Sequence, residues 1–188
     1  MMQELSLNIL DVVQNAITAG ATLIEIAVQT DSRNRLMTVS VADNGCGMTP
    51  EQLSHAADPF FTTRSTRRVG LGIPLFKLAA EITGGSFQIT SQAGAGTALY
   101  AEFRTDSIDC MPLGDLGETF TTLITCNERI DFVCTRRIDD RLCTLDTRTM
   151  RSILEDVPLS APEVAAYLRA YFRADMPAEA NPAWGIMK

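Results

Sequence analysis

The sequence predicts an α+β protein. Two observations carry this: helical periodicity opens the chain and returns around residues 73–82, and alternating strand-like segments come in pairs joined by Gly, Asn and Asp turns. A third is size. The chain has 188 residues, of which 46% are hydrophobic and 21% charged, enough for one domain plus a sizeable extension around a real core.

Residues 4–19 place Leu5, Ile9, Val12, Val13, Ala16 and Ile17 on one side of a helix. Asn8, Asp11, Asn15 and Thr18 line the opposite side. Such a stripe is ordinarily a solvated face. Against that, no Lys, Arg or Glu occurs from Leu5 to Thr18, and Asp11 and Asn15 are side-chain neighbours one turn apart. A short acid beside an amide suits a magnesium ion and its water shell. Gly20 ends this helix.

Residues 22–29 alternate as a strand, residues 31–34 form a turn, and residues 35–42 return as the second strand and deliver Asp43. In VSVADNGCGM, Asp43 stands where the strand runs out, and Gly45 and Gly47 let the backbone approach a ligand closely. An Asp there is able to accept a hydrogen bond from an exocyclic amine such as that of adenine. An ordinary Asp-Asn-Gly hairpin turn is the other reading open for these residues.

Thr49-Pro50-Glu51 starts a short helix, with Thr as cap and Pro in the first turn. Residues 58–68, DPFFTTRSTRR, read as a loop whose hydroxyls and guanidiniums (Arg64, Arg67, Arg68) face an anion; a solvated basic loop is the alternative. Gly70 and Gly72 then precede a helix over residues 73–82, and glycines at a helix start offer free N–H groups and a favourable dipole to phosphate. Residues 83–85 stop that helix. Residues 86–91 and 97–103 are strands about a glycine turn, with Thr97 opening the second.

Residues 105–117 are a connector, followed by a helix over 118–126, a hairpin over 130–138 and 141–145, a helix over 147–155, and a last helix to about residue 172 that Ser160 and Glu163 start as a capping box. The tail from residue 175 reads as loosely held.

The net charge of −7 argues against broad nucleic-acid binding, which needs a basic field. No run is long enough to cross a membrane, and the start carries acid rather than the base of a secretory signal. The five cysteines are odd in number and lack C-x-x-C spacing, which predicts reduced thiols in a cytoplasmic protein. Cys134 and Cys143, across a hairpin, are the one pairing to check.

Four pieces stand in fixed order: the helix with Asp11 and Asn15, the D-N-G-x-G of residues 43–47, the glycine pair at 70 and 72, and the Gly-Thr of residues 96–97. Over residues 4–104 this order resembles the histidine-kinase-like ATPase superfamily, also called GHKL, which groups gyrase, the heat-shock chaperone ATPase, sensor histidine kinases, MutL and the anti-sigma serine kinases. DVVQNAITAGATLIEI looks like the MutL version of the first motif. DPFFTTRSTRRVGLGIPL looks like the phenylalanine box, lid and second glycine motif of histidine kinases.

The resemblance implies a two-layer α/β sandwich of Bergerat type, a mixed sheet with helices on one face, over residues 1–104, with residues 105–188 as a smaller α+β extension. It implies ATP and Mg2+ as cofactors. Asn15 would hold the metal, Asp43 the adenine amine, and Ala19, Gly45, Gly47, Met48 and Thr97 would surround the base. Phe60 and Arg68 would belong to the cover over the nucleotide, and Gly70, Leu71, Gly72 and Ile73 would present phosphate-binding backbone. Asp11 takes the place of the general-base Glu of hydrolysing and serine-kinase members, one methylene shorter. Thr18 stands where many sensor kinases place a basic residue. The strand and helix that precede the first motif in most members are missing, a gap for the C-terminal segment to fill.

His55, the one histidine, lies inside the nucleotide domain rather than on a dimerising hairpin, so a complete two-component kinase is not expected of this chain alone. The function implied is a magnesium-dependent ATP-binding protein, a regulatory protein kinase-like or signalling ATPase domain acting on a partner protein, with ATP/ADP as its nucleotide. A binding module without turnover is the alternative, and slow lid-gated hydrolysis a third.

Overall fold

The computed structural model describes residues 4–57 and 72–172. Along them run α1 (Leu5–Thr18), β1 (Leu23–Asp31), β2 (Leu36–Asp43), α2 (Pro50–His55), α3 (Gly72–Glu81), β3 (Ser86–Gln92), β4 (Gly96–Arg104), α4 (Leu116–Cys126), β5 (Asp131–Ile138), β6 (Arg141–Asp146), α5 (Thr147–Leu154) and α6 (Pro162–Tyr171). The strands form one six-stranded mixed sheet in the order β3-β4-β2-β1-β5-β6. Only β1 and β5 pair in parallel; the other neighbours are antiparallel.

Alternation decides which face is covered. Ile24, Ile26, Val28, Val39, Val41, Leu99, Ala101, Phe103, Phe132 and Cys134 are buried on one face, while Glu25, Gln29, Ala98, Tyr100 and Thr144 on the other are exposed. The covered face packs with apolar residues of α1, α3, α4 and α6 into a single core. Phe76 of α3 meets Phe103 at a 54° tilt, and Phe120 of α4 meets Phe172 edge-on at 4.8 Å between ring centroids. This is the α+β sandwich with helices on one face that the sequence implies.

Residues 105–172 are built into that sandwich. β5 lies along the edge of β1 that β2 leaves open, in register from Leu23–Asp131 to Thr30–Ile138. The connector ties down the start of α1, whose Leu5 and Ser6 N–H groups donate to the carbonyls of Pro112 and Leu113 at 3.0 and 2.9 Å. These are two of the donors that a helix start leaves without internal partners. The C-terminal segment thus supplies a strand beside β1 and a helix, α4, beside α1.

Some local expectations change. α4 begins at Leu116 rather than residue 118, because Asp115 caps it by accepting from the Glu118 N–H at 2.9 Å. The capping box at residues 160–163 does not form: Ala161 is the N-cap of α6, and the Ser160 N–H donates to Glu128 instead. A complete box forms at α2, where Thr49 and Gln52 bond reciprocally. Cys134 faces Leu145 and Cys143 faces Arg136, so the two thiols are out of register; all five cysteines are free, and burial raises the pKa of both hairpin thiols. The tail from residue 175 lies outside the described residues.

A fragment of residues 1–104 loses β5, α4 and the connector at once, uncovering the edge of β1 and part of the core. It is expected to melt without a cooperative transition by circular dichroism, under conditions where the full chain melts cooperatively.

Candidate functional site

Asp11, Asn15 and Ala19 recur every four residues and therefore share one flank of α1. The two glycine motifs meet this flank at opposite ends. At its C-terminal end, a Cβ on Gly45 would lie 2.9 Å from the Ala19 carbonyl oxygen and 3.0 Å from the Ala19 methyl. The Cys46 N–H donates to the same carbonyl at 2.9 Å, fastening the loop to the helix end. At the other end stands Gly72, the first residue of α3. A Cβ there would lie 2.6 Å from Asp11 Oδ2 and 3.5 Å from Asn15 Nδ2. The Asp11 carboxylate therefore lies against a helix N-terminus, where the dipole favours negative charge.

Asp43 is the last residue of β2 and pairs with Ile24 and Thr97. Strand alternation puts Asp43 and Thr97 on the helix-bearing face with Val41 and Leu99. Asp43 Oδ1 accepts from the Gly45 N–H at 2.8 Å, and its Oδ2 has no partner among the described residues. Half-buried and anchored by one oxygen, the carboxylate presents the other to a donor. Met48, also half-buried, is held by its N–H donating to Ser91 Oγ at 2.9 Å.

Close approach explains two of the glycines. Gly96 has φ +97°, and a Cβ on it would sit 1.9 Å from the Asp43 carbonyl oxygen. Gly47 has φ +63°, and its Cβ would sit 2.0 Å from the Gln92 carbonyl oxygen. No side chain fits at either place, so the loop after β2 lies directly on the β3–β4 turn.

The structure thus brings together Asp11, Asn15, Ala19, Asp43, Gly45, Gly47, Met48, Gly72 and Thr97 along α1 and the adjoining end of the sheet. Ile73 follows Gly72 in the first turn of α3 and packs on the core. Phe60, Arg64, Arg67, Arg68, Gly70 and Leu71 lie outside the described residues. Two supporting residues carry no sequence signal strong enough to single them out. Ser91 Oγ donates to the Gly96 carbonyl at 2.8 Å and bonds Thr97 Oγ1 at 2.9 Å. Asn44 clamps the start of β1, its Oδ1 accepting from the Thr22 and Leu23 N–H groups at 2.8 and 2.9 Å. The polar stripe of α1 is also not uniform: Asn8 is buried at 1% exposure, Asp11 and Asn15 are half-buried, and Thr18 is exposed.

The sequence model of the histidine kinase-, DNA gyrase B- and HSP90-like ATPases matches residues 2–107. The chain belongs to that family. Membership makes this an ATP-binding domain of the histidine-kinase-like kind. Similar curated proteins include the sensor protein kinase FleS of Pseudomonas aeruginosa, 38% identical over 47% of this chain and 22% of that protein. The histidine protein kinase DivJ of Caulobacter vibrioides is 30% identical over 48% of this chain and 16% of its own length. The sensor protein SrrB of Staphylococcus aureus is 33% identical over 39% of this chain and 13% of its own. The chain therefore corresponds to less than a quarter of each of these relatives. Among solved structures, the N-terminal domain of a DNA repair protein superposes with a TM-score of 0.55 at 14% identity, covering 77% of this chain and 53% of that one. That likeness concerns the fold. Among the described residues, no helix is long and apolar enough to cross a membrane.

Gly96→Ala is expected to destabilise this GHKL domain by about 2 kcal/mol or more, since strain at positive φ adds to a collision with backbone. Urea unfolding of the variant beside wild type measures it.

Proposed function

We propose that this ATPase-family domain binds magnesium–ATP along the flank of α1 and uses it to regulate a partner protein by a kinase-like reaction. The observation that carries the reading is the meeting of Gly72 with both Asp11 and Asn15, while Gly45 meets Ala19 eight residues further along the same helix. Eight residues of helix span roughly 12 Å, a distance suited to adenine at one end and the terminal phosphates at the other. In this reading the Asp43 Oδ2 accepts from the adenine amine, Thr97 and Met48 flank the base, and Gly72 admits phosphate to the start of α3. Residues 1–104 form the nucleotide-binding part and residues 105–188 the extension that completes the sheet and offers partner surface.

The donors present fit magnesium. The Asn15 amide supplies a hard oxygen, and the Asp11 carboxylate stands one turn away, within reach of the metal's water shell rather than on the metal. Among the described residues, no group of three or more His, Cys, Asp or Glu is able to hold a metal by itself. That agrees with an ion held by one or two side chains together with phosphate oxygens and water. Bound there, magnesium would neutralise phosphate charge. Asn15 would hold the metal, Gly72 would leave room for the phosphates, and Asp11 would accept the proton of an attacking hydroxyl or water.

A second reading is a regulatory module that holds ATP or ADP without turnover. The short reach of Asp11, already set against Gly72, favours it. Asp11→Asn separates the two. In a kinase or ATPase it keeps magnesium–nucleotide binding and lowers turnover by about a hundredfold or more, as removal of a general base does. Wild type that neither consumes ATP nor labels any protein in a lysate decides for the module.

Asn15→Ala is expected to abolish magnesium-dependent ATP binding by calorimetry, with folding unchanged. Unaltered affinity would remove Asn15 from the site. Asp43→Ala is expected to weaken ATP binding at least tenfold and to erase the preference for ATP over GTP, because only adenine offers that amine.

A further inference from the structure

Asn8 is only 1% exposed, yet neither its Oδ1 nor its Nδ2 has a hydrogen-bond partner among the described residues. Buried side-chain amides in folded proteins are nearly always paired, and leaving one unpaired is destabilising. The nearby residues of α1 do not relieve it: Leu5, Ile9 and Val12 are buried and apolar, and Ser6 Oγ donates to Glu4. What Asn8 does have is a place on the polar flank. Residues 8, 11 and 15 follow the i, i+3, i+7 spacing of one helix side. Asn8 therefore closes the inner end of the row that Asp11 and Asn15 continue outward.

The second observation is where the Asp11 carboxylate rests. Its Oδ2 lies against Gly72, at the N-terminus of α3. That is also the position a phosphate takes in the function proposed above, on which this inference depends. Two anions at one helix start repel each other, so phosphate arriving there pushes the carboxylate along the flank. One turn away stands an amide with two unused donors.

We propose that Asn8 is a positioning residue for Asp11: when nucleotide occupies the hollow, the Asn8 Nδ2 donates to the Asp11 carboxylate, directly or through one ordered water. With the carboxylate resting against Gly72, the amide lacks that partner. In the filled protein it fixes a carboxylate that is otherwise too short to hold its aim. Asn8 acts through Asp11 and touches neither metal nor phosphate.

The test uses the full chain labelled with 15N-asparagine. The Asn8 side-chain NH2 pair is assigned by its absence from the spectrum of Asn8→Leu, or of Asn8→Ser if the first does not fold. On titration with magnesium and a non-hydrolysable ATP analogue, this pair is expected to shift and its exchange with water to slow by about tenfold, the mark of a new hydrogen bond. In Asp11→Ala, or Asp11→Ser should the first not fold, the shift and the slowing are expected to vanish. An Asn8 pair that stays put while other resonances report nucleotide binding overturns this inference alone. So does a change that persists without the Asp11 carboxylate. A spectrum in which nothing responds to the analogue overturns the nucleotide reading, and this inference with it.

Discussion

Helix α1 must serve two neighbours at once. One side of it, from Leu5 to Ala16, is buried in the core. The adjoining flank must remain polar and still lie close to backbone. Both demands are met because the chain that approaches the flank is glycine. At Gly45 and Gly72, atoms of Ala19 and Asp11 stand where a side chain would begin, and Asn15 lies in van der Waals contact beside Gly72. A larger residue at Gly45 would press on the end of α1, and one at Gly72 would displace the Asp11 carboxylate. The site is therefore a property of packing distance as much as of chemical groups, and the rest of the fold holds that distance.

Much of that holding comes from the C-terminal half. β5 extends the sheet beside β1, α4 packs beside α1, and the connector carbonyls of Pro112 and Leu113 satisfy the first N–H groups of α1. A helix anchored at its start and packed along its length keeps its polar flank aligned with the sheet rim. The described residues after 104 thus contribute to the geometry of the site by holding α1 in place.

The candidate site was legible where residue type and spacing both carry meaning. Asp11 and Asn15 stand at i, i+4 in a stripe without long charged residues, and Asp43 stands at a strand end before two spaced glycines. These features are local, and the structure brings them to one flank of α1. Less legible was whatever depends on which residues meet across the fold. Asn8 reads as one more member of a polar stripe, but helix packing buries it. Ser91 is an ordinary strand serine until the β2 loop comes down on the β3–β4 turn. Ser160 and Glu163 match a capping pattern, yet Glu128, distant in sequence, takes the Ser160 N–H. Cys134 and Cys143 sit on facing strands as expected, but register separates them by two positions.

The central claim is that a magnesium-nucleotide lies along α1, between the two glycine motifs. A crystal structure of the full chain grown with magnesium and a non-hydrolysable ATP analogue tests it most directly. The account predicts the adenine amine bonded to Asp43, the phosphates reaching the start of α3 at Gly72, and the metal on Asn15. A nucleotide bound elsewhere on the surface, with Asp11 and Asn15 still packed on Gly72 and no metal between them, would contradict it.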